Sequence, residues 1–551
     1  MNATLESLYV PEPVASQLSS HLADAKSLHD WLIGLPQVQP LDLGRTLYDA
    51  LFTLNRSKLD RDFRLQALEQ FQTKIDIHLP ALERLYHGVA VPQRERAEQA
   101  WHLARDLLLE LICACKLVLR EESSRRFVFG QRNAAGLLLR LLQLSQRVLM
   151  LCYGNYYPVP ERVWLEVHLL FRHAWEQKML DEVPEGASVS IQQLYKQILL
   201  LGLSDPHSLL PGEIQKVQEW LHKLANYATL QAVSQLADPA GFFLIQLDRD
   251  VPPQFMGHRP MQLDGRHAIL LNTFEVVRRL HKELVPLEKV AASSSHFQKA
   301  THHIDLLRRL IRAWGITPQR LFNRMRNNAS VLLVCGLWSA HQLLQRERLQ
   351  AEDVGALELE PAQLETDVPT AEAGDEVVRV VPPVSPEVHL SRWQVINVSP
   401  GGYALQLETA QPESITVGSV VLIRSEHVDR WNVAVVRWVR QGRLLDIGLQ
   451  LLAPFAEAVR VRRKENDQVE HYEPALLLPS VPEMKQPASL IAPAGQFAPL
   501  REFDVMRMTD EVSIRAIRRM DHGMNVDQFE FITPAQLEAL LEMPAAQASS
   551  F

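Results

Sequence analysis

The sequence predicts an α+β protein of several domains, in which an all-α N-terminal region precedes a C-terminal β-barrel and an additional β lobe. Three observations favour this fold class. The chain has 551 residues, which is too long for one small module. Its first 240 residues repeat apolar side chains at helical spacing, and the residues after about 390 alternate apolar and polar side chains as strands do.

Residues 1–240 carry the helical pattern. Apolar residues recur three and four positions apart, and turn signals such as Gly34-Leu-Pro36 and Ser204-Asp-Pro206 mark helix ends. The repeat is clear at Leu103, Leu107, Leu108, Leu111, Ile112 and Cys115, and again at Leu137, Leu138, Leu141, Leu142, Leu144 and Val148. We therefore expect an all-α domain here.

Residues 241–350 give a mixed pattern and are predicted to form an α/β segment. Phe242–Leu247 and Ala268–Leu271 are short β-like runs, and a helix is expected over Thr301–Trp314. The apolar run Ser330–Gly336 fits either a strand or a buried helix by its periodicity, and we favour a strand.

Residues 351–386 are predicted to form a flexible, acidic linker. Residues 351–376 contain nine acidic side chains and no Lys or Arg, and Pro382, Pro383 and Pro386 follow. A segment of this composition buries too little apolar surface to offset a backbone ordering cost of about 1 to 2 kcal/mol per residue.

Residues 387–460 are predicted to form a small β-barrel, because short alternating strands follow one another there, separated by turn residues. These strands are Trp393–Asn397, Tyr403–Glu408, Ser419–Arg424, Trp431–Val439 and Leu445–Leu451. Further β-like runs between Ala475 and Phe531, and a short helix after Pro534, predict a second β lobe with a C-terminal helix over residues 461–551.

The charge balance and the cysteines restrict the class of protein. With 57 Lys and Arg against 65 Asp and Glu the net charge is −8, which argues against a DNA or RNA partner. The apolar runs Ala135–Cys152 and Ser330–Leu344 are interrupted by arginine or too short, so no membrane span is expected. The four cysteines lack metal-finger spacing and no export signal is visible, which predicts a cytoplasmic protein.

Enzyme-like patterns are sparse, and we predict a protein that is not an enzyme and needs no metal or cofactor. His302-His303-Ile-Asp305 looks like a fragment of a metal-dependent phosphohydrolase motif, but adjacent histidines on a helix point about 100° apart. Cys113 and Cys115 lie in a continuously apolar helix, where cysteine behaves as a small hydrophobic residue. The sequence contains neither a Gly-x-Ser-x-Gly elbow nor a phosphate-binding loop.

The turn between the first two barrel strands carries the most specific chemistry in the chain. Asn397 and Ser399 are two residues apart and therefore lie on the same side of an extended strand, and Gly401 and Gly402 follow. An amide, a hydroxyl and a bare backbone suit the edge of a flat heterocycle. In the structural alternative, Asn397 and Ser399 cap a tight turn through hydrogen bonds to the backbone.

This turn and the strand order around it resemble the PilZ domain family over about residues 393–454. The family's Asn/Asp-x-Ser-x-x-Gly motif matches Asn397, Ser399 and Gly402, and the later pattern Ile447-Gly448-Leu449 also fits. PilZ domains are known as receptors for the bacterial second messenger cyclic di-GMP. The resemblance therefore implies that ligand, with Asn397 and Ser399 contacting polar atoms of one guanine.

The family also has an Arg-x-x-x-Arg segment before this turn, and here the sequence departs from the pattern. A match occurs at Arg320-Leu-Phe-Asn-Arg324, on the far side of the acidic linker. If the linker is an insertion, Arg320 and Arg324 can meet the turn and supply guanidinium groups for phosphate or guanine. Rival basic groups occur at Arg308/Arg312, at Arg515/Arg519 and in the run 460–464.

Together these features predict a cytosolic bacterial cyclic di-GMP receptor or adaptor, which transmits nucleotide binding through its helical region to a protein partner that the sequence does not identify. The predicted ligand-binding residues are Asn397, Ser399, Gly402, Arg320 and Arg324. The alternative is a degenerate PilZ-like scaffold that binds a protein and no nucleotide. The absence of an adjacent arginine motif favours that alternative.

Overall fold

A computed structural model of the chain describes residues 3–536 except for a set of internal positions. These are 15–17, 37–38, 89–90, 124–129, 234–240, 257–266, 294–296, 316–324, 327–328, 358–387, 409–413, 426–427, 429, 465–470, 483–485, 508–509 and 523–525. The chain divides into two compact units. The first comprises Met1–Leu321 and Trp438–Arg443, and the second comprises Phe322–Arg437 and Leu444–Phe551.

The first unit is largely helical, which confirms the predicted α-helical N-terminal region. On α5, Leu107, Leu111 and Cys115 have no exposed surface, because residues four apart share one face of a helix. The helices are α1 (Ala3–Glu6), α2 (Ala25–Gly34), α3 (Pro40–Asn55), α4 (Arg61–Tyr86), α5 (Glu95–Ser123), α6 (Gly130–Gly154), α7 (Val163–Glu176), α8 (Ile191–Leu203), α9 (Glu213–Leu224), α10 (Phe274–Ser293) and α11 (Phe297–Trp314).

Helix α6 contains one stretch, Ala134–Gly154, that is long and apolar enough to cross a membrane by length and composition alone. Most of this stretch is buried inside the helical unit, and Leu138, Leu141 and Leu142 have no exposed surface. Burial of this kind is what a core helix of the unit shows.

A small antiparallel sheet interrupts the helices. Its strands are β1 (Thr229–Ala232), β2 (Phe243–Gln246), β3 (Gln254–Phe255) and β4 (Ala268–Asn272), in the order β1-β4-β2-β3. The two β-like runs in the sequence form β2 and β4. The sequence places the end of the all-α region at residue 240, but β1 already begins at Thr229 because it pairs with β4, a contact that local periodicity does not encode.

The helical unit also contains buried charges and hydrogen bonds. Lys116 donates to both carboxylate oxygens of Glu166, at 2.9 and 3.0 Å, and both side chains are largely buried. The fully buried His168 has Nδ1 2.8 Å from the Tyr195 hydroxyl and Nε2 3.0 Å from the Val251 carbonyl oxygen. Burial lowers the pKa of His168 to about 4, so its imidazole is neutral near pH 7.

The second unit begins with a seven-stranded sheet in the order β5-β7-β6-β9-β10-β11-β8. Since β8 also pairs with β7, the strands from β6 to β11 close into a ring, here called the first barrel. Trp393, Leu405 and Ile447 have no exposed surface and fill its interior. The strands are β5 (Met325–Arg326), β6 (Ser330–Cys335), β7 (Ser391–Ser399), β8 (Gly402–Leu407), β9 (Val420–Ser425), β10 (Asn432–Gln441) and β11 (Leu445–Ala453).

Two strands of the sheet, β5 and β6, precede the acidic segment in the sequence. The predicted barrel is confined to residues 387–460 and does not include them. β6 pairs with β7 on one side and with β9 on the other, so the ring closes through it. Helix α12 (Leu337–Leu357) follows β6 and extends into the predicted linker, and residues 358–387 lie outside the described residues. The acidic segment is therefore inserted between two paired strands.

A second, closed barrel follows, in the order β12-β13-β14-β17-β16-β15. It confirms the predicted additional β lobe, although its first strand begins at Glu457 rather than at residue 461, and the helix expected after Pro534 lies mostly outside the described residues. Ala340 of α12, Val433 of the first barrel and Leu476 of the second share one apolar cluster. The strands are β12 (Glu457–Arg463), β13 (Glu473–Leu478), β14 (Ser489–Pro493), β15 (Glu502–Met506), β16 (Glu511–His522) and β17 (Val526–Ile532).

The tip of the hairpin between β10 and β11, Trp438–Arg443, belongs to the first unit. Within that unit Gln441 is buried and makes two hydrogen bonds. Its backbone N–H donates to the Tyr156 carbonyl oxygen at 2.7 Å, and its side-chain amide donates to the Asn155 carbonyl oxygen at 2.8 Å. The tip is therefore held by hydrogen bonds of the helical unit.

Candidate functional site

The β7–β8 turn places Asn397, Ser399 and Gly402 beside one another. Ser399 pairs directly with Gly402, and Asn397 pairs with Ala404. A β-bulge lies between Val395, whose side chain is buried, and Asn397. Without a bulge, residues two apart would face the same side, so this extra residue turns Asn397 and Ser399 to the outer face of the barrel.

The outer face around this turn has a floor of very small residues. Gly402, Ala404 and Gln406 share one face of β8, because Leu405 and Leu407 between them point into the barrel. On β11, Gly448 pairs with Ala404 and Gln450 pairs with Gly402. Directly opposite residues lie on the same face of a sheet, so Gly402, Ala404 and Gly448 form a patch of small residues there, and all three are buried.

Gly402 is required at its position by the approach of β11. A Cβ atom built on Gly402 would overlap the carbonyl oxygen of Leu449 and lie 3.0 Å from its carbonyl carbon. Both are backbone atoms that cannot rotate away, so any side chain here forces β8 and β11 apart. The match of this glycine to the motif therefore has a packing cause that is independent of any ligand.

Strand β5 brings Arg326 to the same face. Arg326 pairs with Asn397, Met325 pairs with Val398, and both β5 side chains are exposed. The predicted ligand residues Arg320 and Arg324 lie outside the described residues. Arg324 directly precedes Met325 in the sequence.

The rival arginine pairs are used elsewhere. Arg308 donates to Glu288 at 2.7 Å within the helical unit. In the second barrel Arg515 pairs with Glu502, and Arg519 pairs with the buried Asp527. The basic run on β12 is likewise engaged, since Arg462 and Lys464 contact Asp504 at 3.1 and 3.0 Å. Of the described parts of these motifs, only the segment that ends at Arg326 borders the turn.

The far side of the face, toward β11 and β10, is polar. Arg437 on β10 donates through Nε to the Gln450 side-chain oxygen at 2.7 Å. Gln406 donates to a carboxylate oxygen of Asp446 at 2.9 Å, and these two residues are also a register pair. The face thus offers guanidinium donors together with amide and carboxylate acceptors around its small-residue floor.

The alternative that Asn397 and Ser399 cap the turn is met in part, because the Ser399 hydroxyl donates to a backbone carbonyl oxygen of the turn. The Ser399 hydroxyl lies 3.4 Å from the Gly402 carbonyl oxygen. The usual distance between the two oxygens of such a hydrogen bond is about 2.5 to 3.0 Å, so this bond is long. Among the described residues the Asn397 side chain has no hydrogen-bond partner. Both groups are half-buried and remain oriented toward the outer face.

Among the residues that the structure describes, the enzyme-like patterns are placed as follows. His303 stacks on Trp220 with ring centroids 5.7 Å apart, and Asp305 contacts Arg308 at 3.3 Å. Within the described part of the chain, no group of three or more His, Cys, Asp or Glu residues is arranged to hold a metal ion. Cys113 and Cys115 are free and buried, and burial raises their thiol pKa to about 11 and about 12, so they are not reactive thiolates.

Three residues at this face were not part of the predicted site: Arg326, Arg437 and Gln450. Strand alternation predicts which residues share a face with their neighbours along one strand, but it does not predict which strands are adjacent. A search for arginines on the outer faces of strands after the turn would have selected Arg437, and the register with Gly402 is needed to place Gln450 beside it.

The chain is similar to known proteins along most of its length. Three domain families match in order: the N-terminal domain of cyclic-di-GMP receptor FimW over residues 26–236, its middle PilZ domain over 242–354 and 353–458, and the FimW C-terminal β-barrel domain over 458–533. Cyclic-di-GMP receptor FimW of Pseudomonas aeruginosa strain PAO1 is 27 % identical, in an alignment covering 95 % of this chain and 93 % of that protein.

The middle-domain match is the informative one for the site, because it includes both the arginine segment at 320–326 and the turn at 397–402. The resemblance seen in the sequence over residues 393–454 is therefore one part of a larger domain that begins before the acidic segment. The chain contains a PilZ domain, matched over residues 242–458, with a match to the FimW N-terminal domain before it and a match to the FimW C-terminal β-barrel domain after it.

Proposed function

We propose that this chain is a cyclic di-GMP receptor and that the ligand lies on the outer face of the first barrel, across the β7–β8 turn. The pairing of Arg326 with Asn397 carries the proposal, because it joins the arginine segment to the turn despite the acidic segment between them in the sequence. The similarity to a protein named as a cyclic-di-GMP receptor, along nearly the whole chain, supports the same ligand.

The chemistry of the face suits a cyclic dinucleotide. Its two phosphodiester charges require cationic groups, and the planar guanidinium of arginine pairs with phosphate oxygens or with guanine O6 and N7 through two parallel hydrogen bonds. We propose that Arg320 and Arg324, which precede β5 in the sequence, supply these groups. Asn397 and Ser399 take polar atoms of one guanine, and Gly402 and Ala404 leave room for the base to lie flat.

The proposal includes transmission of binding to the helical region. β10 and β11 carry Arg437 and Gln450 on the ligand face, and the tip of the hairpin that these strands form belongs to the helical unit. A small displacement of either strand on binding would move Gln441 against its hydrogen-bond partners there. The helical unit then offers an altered surface to a protein partner.

The receptor acts by binding rather than by catalysis, and its place is the cytoplasm. All four cysteines are free and buried, a state that fits a reducing compartment. The binding energy of the ligand is then used for a conformational change.

Calorimetric titration of the full chain with cyclic di-GMP tests the proposal. We expect binding that weakens about 10-fold in Ser399→Ala and about 10- to 100-fold in Arg320→Ala, because hydrogen bonds to charged groups contribute about 1.5 to 3 kcal/mol. Ser480→Ala is the matched control for the first variant, since the Ser480 hydroxyl also donates to a backbone carbonyl in the second barrel. Arg308→Ala is the matched control for the second.

The outcome separates the receptor from the nucleotide-free scaffold. No heat at tens of micromolar cyclic di-GMP, from a protein that is folded by circular dichroism, would support the scaffold. If Ser399→Ala and Arg320→Ala bind cyclic di-GMP with the same affinity as their control variants, the ligand lies elsewhere on the chain.

A further inference from the structure

We infer that Arg437 is a ligand-binding residue that contacts the half of the cyclic dinucleotide farther from the arginine segment. This inference rests on the proposed function and adds a second cationic end to the site. Neither the turn motif nor the Arg-x-x-x-Arg spacing includes Arg437, which lies on β10 after the motif. Its assignment comes from the register of four strands and from one hydrogen bond.

The register places Arg437 in one row with the turn. Ser399 pairs with Gly402, Gly402 pairs with Gln450, and Gln450 accepts the hydrogen bond from Arg437. These four residues lie on four successive strands, β7, β8, β11 and β10, on the outer face of the barrel. With about 4.8 Å between neighbouring strands, the backbone path around the barrel from Ser399 to Arg437 is about 14 Å long. Because β7 and β10 lie opposite each other in the six-stranded ring, it is the side chain of Arg437, hydrogen-bonded to Gln450 on β11, that extends toward the turn.

Cationic groups stand at both ends of this face. Arg326, opposite Asn397, marks the end at β5, and the Arg437 guanidinium, hydrogen-bonded to Gln450, marks the end at β11. Between them lie Gly402, Ala404 and Gly448, which contribute at most one side-chain carbon each. A mononucleotide contacts one end of such a surface, whereas a ligand with two phosphates and two guanines reaches both.

The Arg437 side chain is oriented for this contact. Its Nε–H donates to Gln450 at 2.7 Å, and Gln450 itself is exposed on the outer face. An arginine held through Nε directs the paired terminal nitrogens of its planar guanidinium along a fixed axis. A fixed fork loses less conformational freedom when it pairs with phosphate or guanine than a mobile side chain does.

The test is the affinity of the full chain for cyclic di-GMP, measured by calorimetry in four variants. Arg437→Ala is expected to weaken binding about 10- to 100-fold, and Arg437→Lys about 10-fold, because lysine keeps the charge but not the fork. Gln450→Ala is expected to weaken binding about 3-fold through loss of orientation. Arg518→Ala on the second barrel removes the same charge from an exposed ion pair and is expected to bind as wild type.

A double-variant cycle distinguishes a ligand contact from a structural role. If Gln450 acts through Arg437, then Gln450→Ala has no further effect on affinity once Arg437 is alanine. The inference is overturned if wild type binds cyclic di-GMP and Arg437→Ala has the same affinity as Arg518→Ala. It is also overturned if the effects of Arg437→Ala and Gln450→Ala on the binding free energy are additive. If Arg437→Ala also lowers the urea midpoint of unfolding, Arg437→Gln takes its place in the binding measurements, because glutamine keeps a hydrogen-bond donor for Gln450. The same two results would then overturn the inference. Absence of binding by wild type is a different result, which rejects the proposed function itself.

Discussion

Replacement of Gly402 by alanine tests how the turn is built. The added Cβ would overlap the Leu449 carbonyl oxygen and lie 3.0 Å from its carbonyl carbon and 3.3 Å from the Gln450 Cα. About 3.5 to 4.0 Å is the favourable separation of such atoms, so β8 and β11 must move apart. The hydrogen bond from the Leu451 N–H to the Gly401 carbonyl oxygen, 3.0 Å long, is then strained or lost.

The expected loss of stability is about 2 to 4 kcal/mol. Overpacking of a close contact costs about 1 to 3 kcal/mol, and the loss of one ladder hydrogen bond adds about 0.5 to 1.5 kcal/mol. Since about 1.4 kcal/mol is a factor of ten in an equilibrium constant, a loss near 3 kcal/mol raises the open fraction of this edge about 100-fold.

Hydrogen–deuterium exchange of the full chain measures this directly. In Gly402→Ala the amides of β8 and β11 are expected to exchange about 100-fold faster than in wild type. Gly136→Ala is the control, because a Cβ on Gly136 meets no atom within 4 Å and alanine favours a helix, so protection should be unchanged or higher. Wild-type protection of β8 and β11 in Gly402→Ala would refute the described approach of the two strands.

Three further outcomes follow from the helical unit. Lys116→Met is expected to lower the free energy of unfolding by about 2 kcal/mol in urea titrations, because the buried Glu166 loses its nearest cation and keeps only the Tyr9 N–H and the more distant Arg162; a change below about 0.5 kcal/mol would contradict this. His168 takes up a proton below about pH 6.5 in the unfolded chain but only below about pH 4 in the folded chain. The free energy of unfolding should therefore fall as the pH decreases from about 6.5 to about 4, by up to about 3 kcal/mol. If the dependence of this free energy on pH were the same in His168→Gln as in wild type, the expectation would be wrong. Gln441→Ala should cost about 1 kcal/mol, since the Asn155 carbonyl oxygen loses its donor, and unaltered exchange of the 438–443 amides would contradict this.

The fold class was largely predictable because its signals are local. Helical spacing at Leu107, Leu111 and Cys115 is visible within one stretch of sequence, and so is the alternation along β8. The closure of the first barrel was not predictable in this way. β6 pairs with β7 across an insertion, and neither strand carries a local signal that identifies its partner.

The candidate site divides along the same line. Asn397, Ser399 and Gly402 form a motif because they are close in sequence, whereas Arg326 reaches them through the pairing of β5 with β7. The outward direction of Asn397 depends on the bulge after Val395, and a bulge depends on the neighbouring strand. Strand partners, rather than residue types, are the missing information.

The central claim is that cyclic di-GMP occupies the outer face of the first barrel. Its most direct test is hydrogen–deuterium exchange of the full chain with and without saturating cyclic di-GMP. We expect slower exchange at residues 325–326, 397–404 and 445–450. Unchanged exchange at all three segments under conditions where calorimetry records binding would contradict the claim.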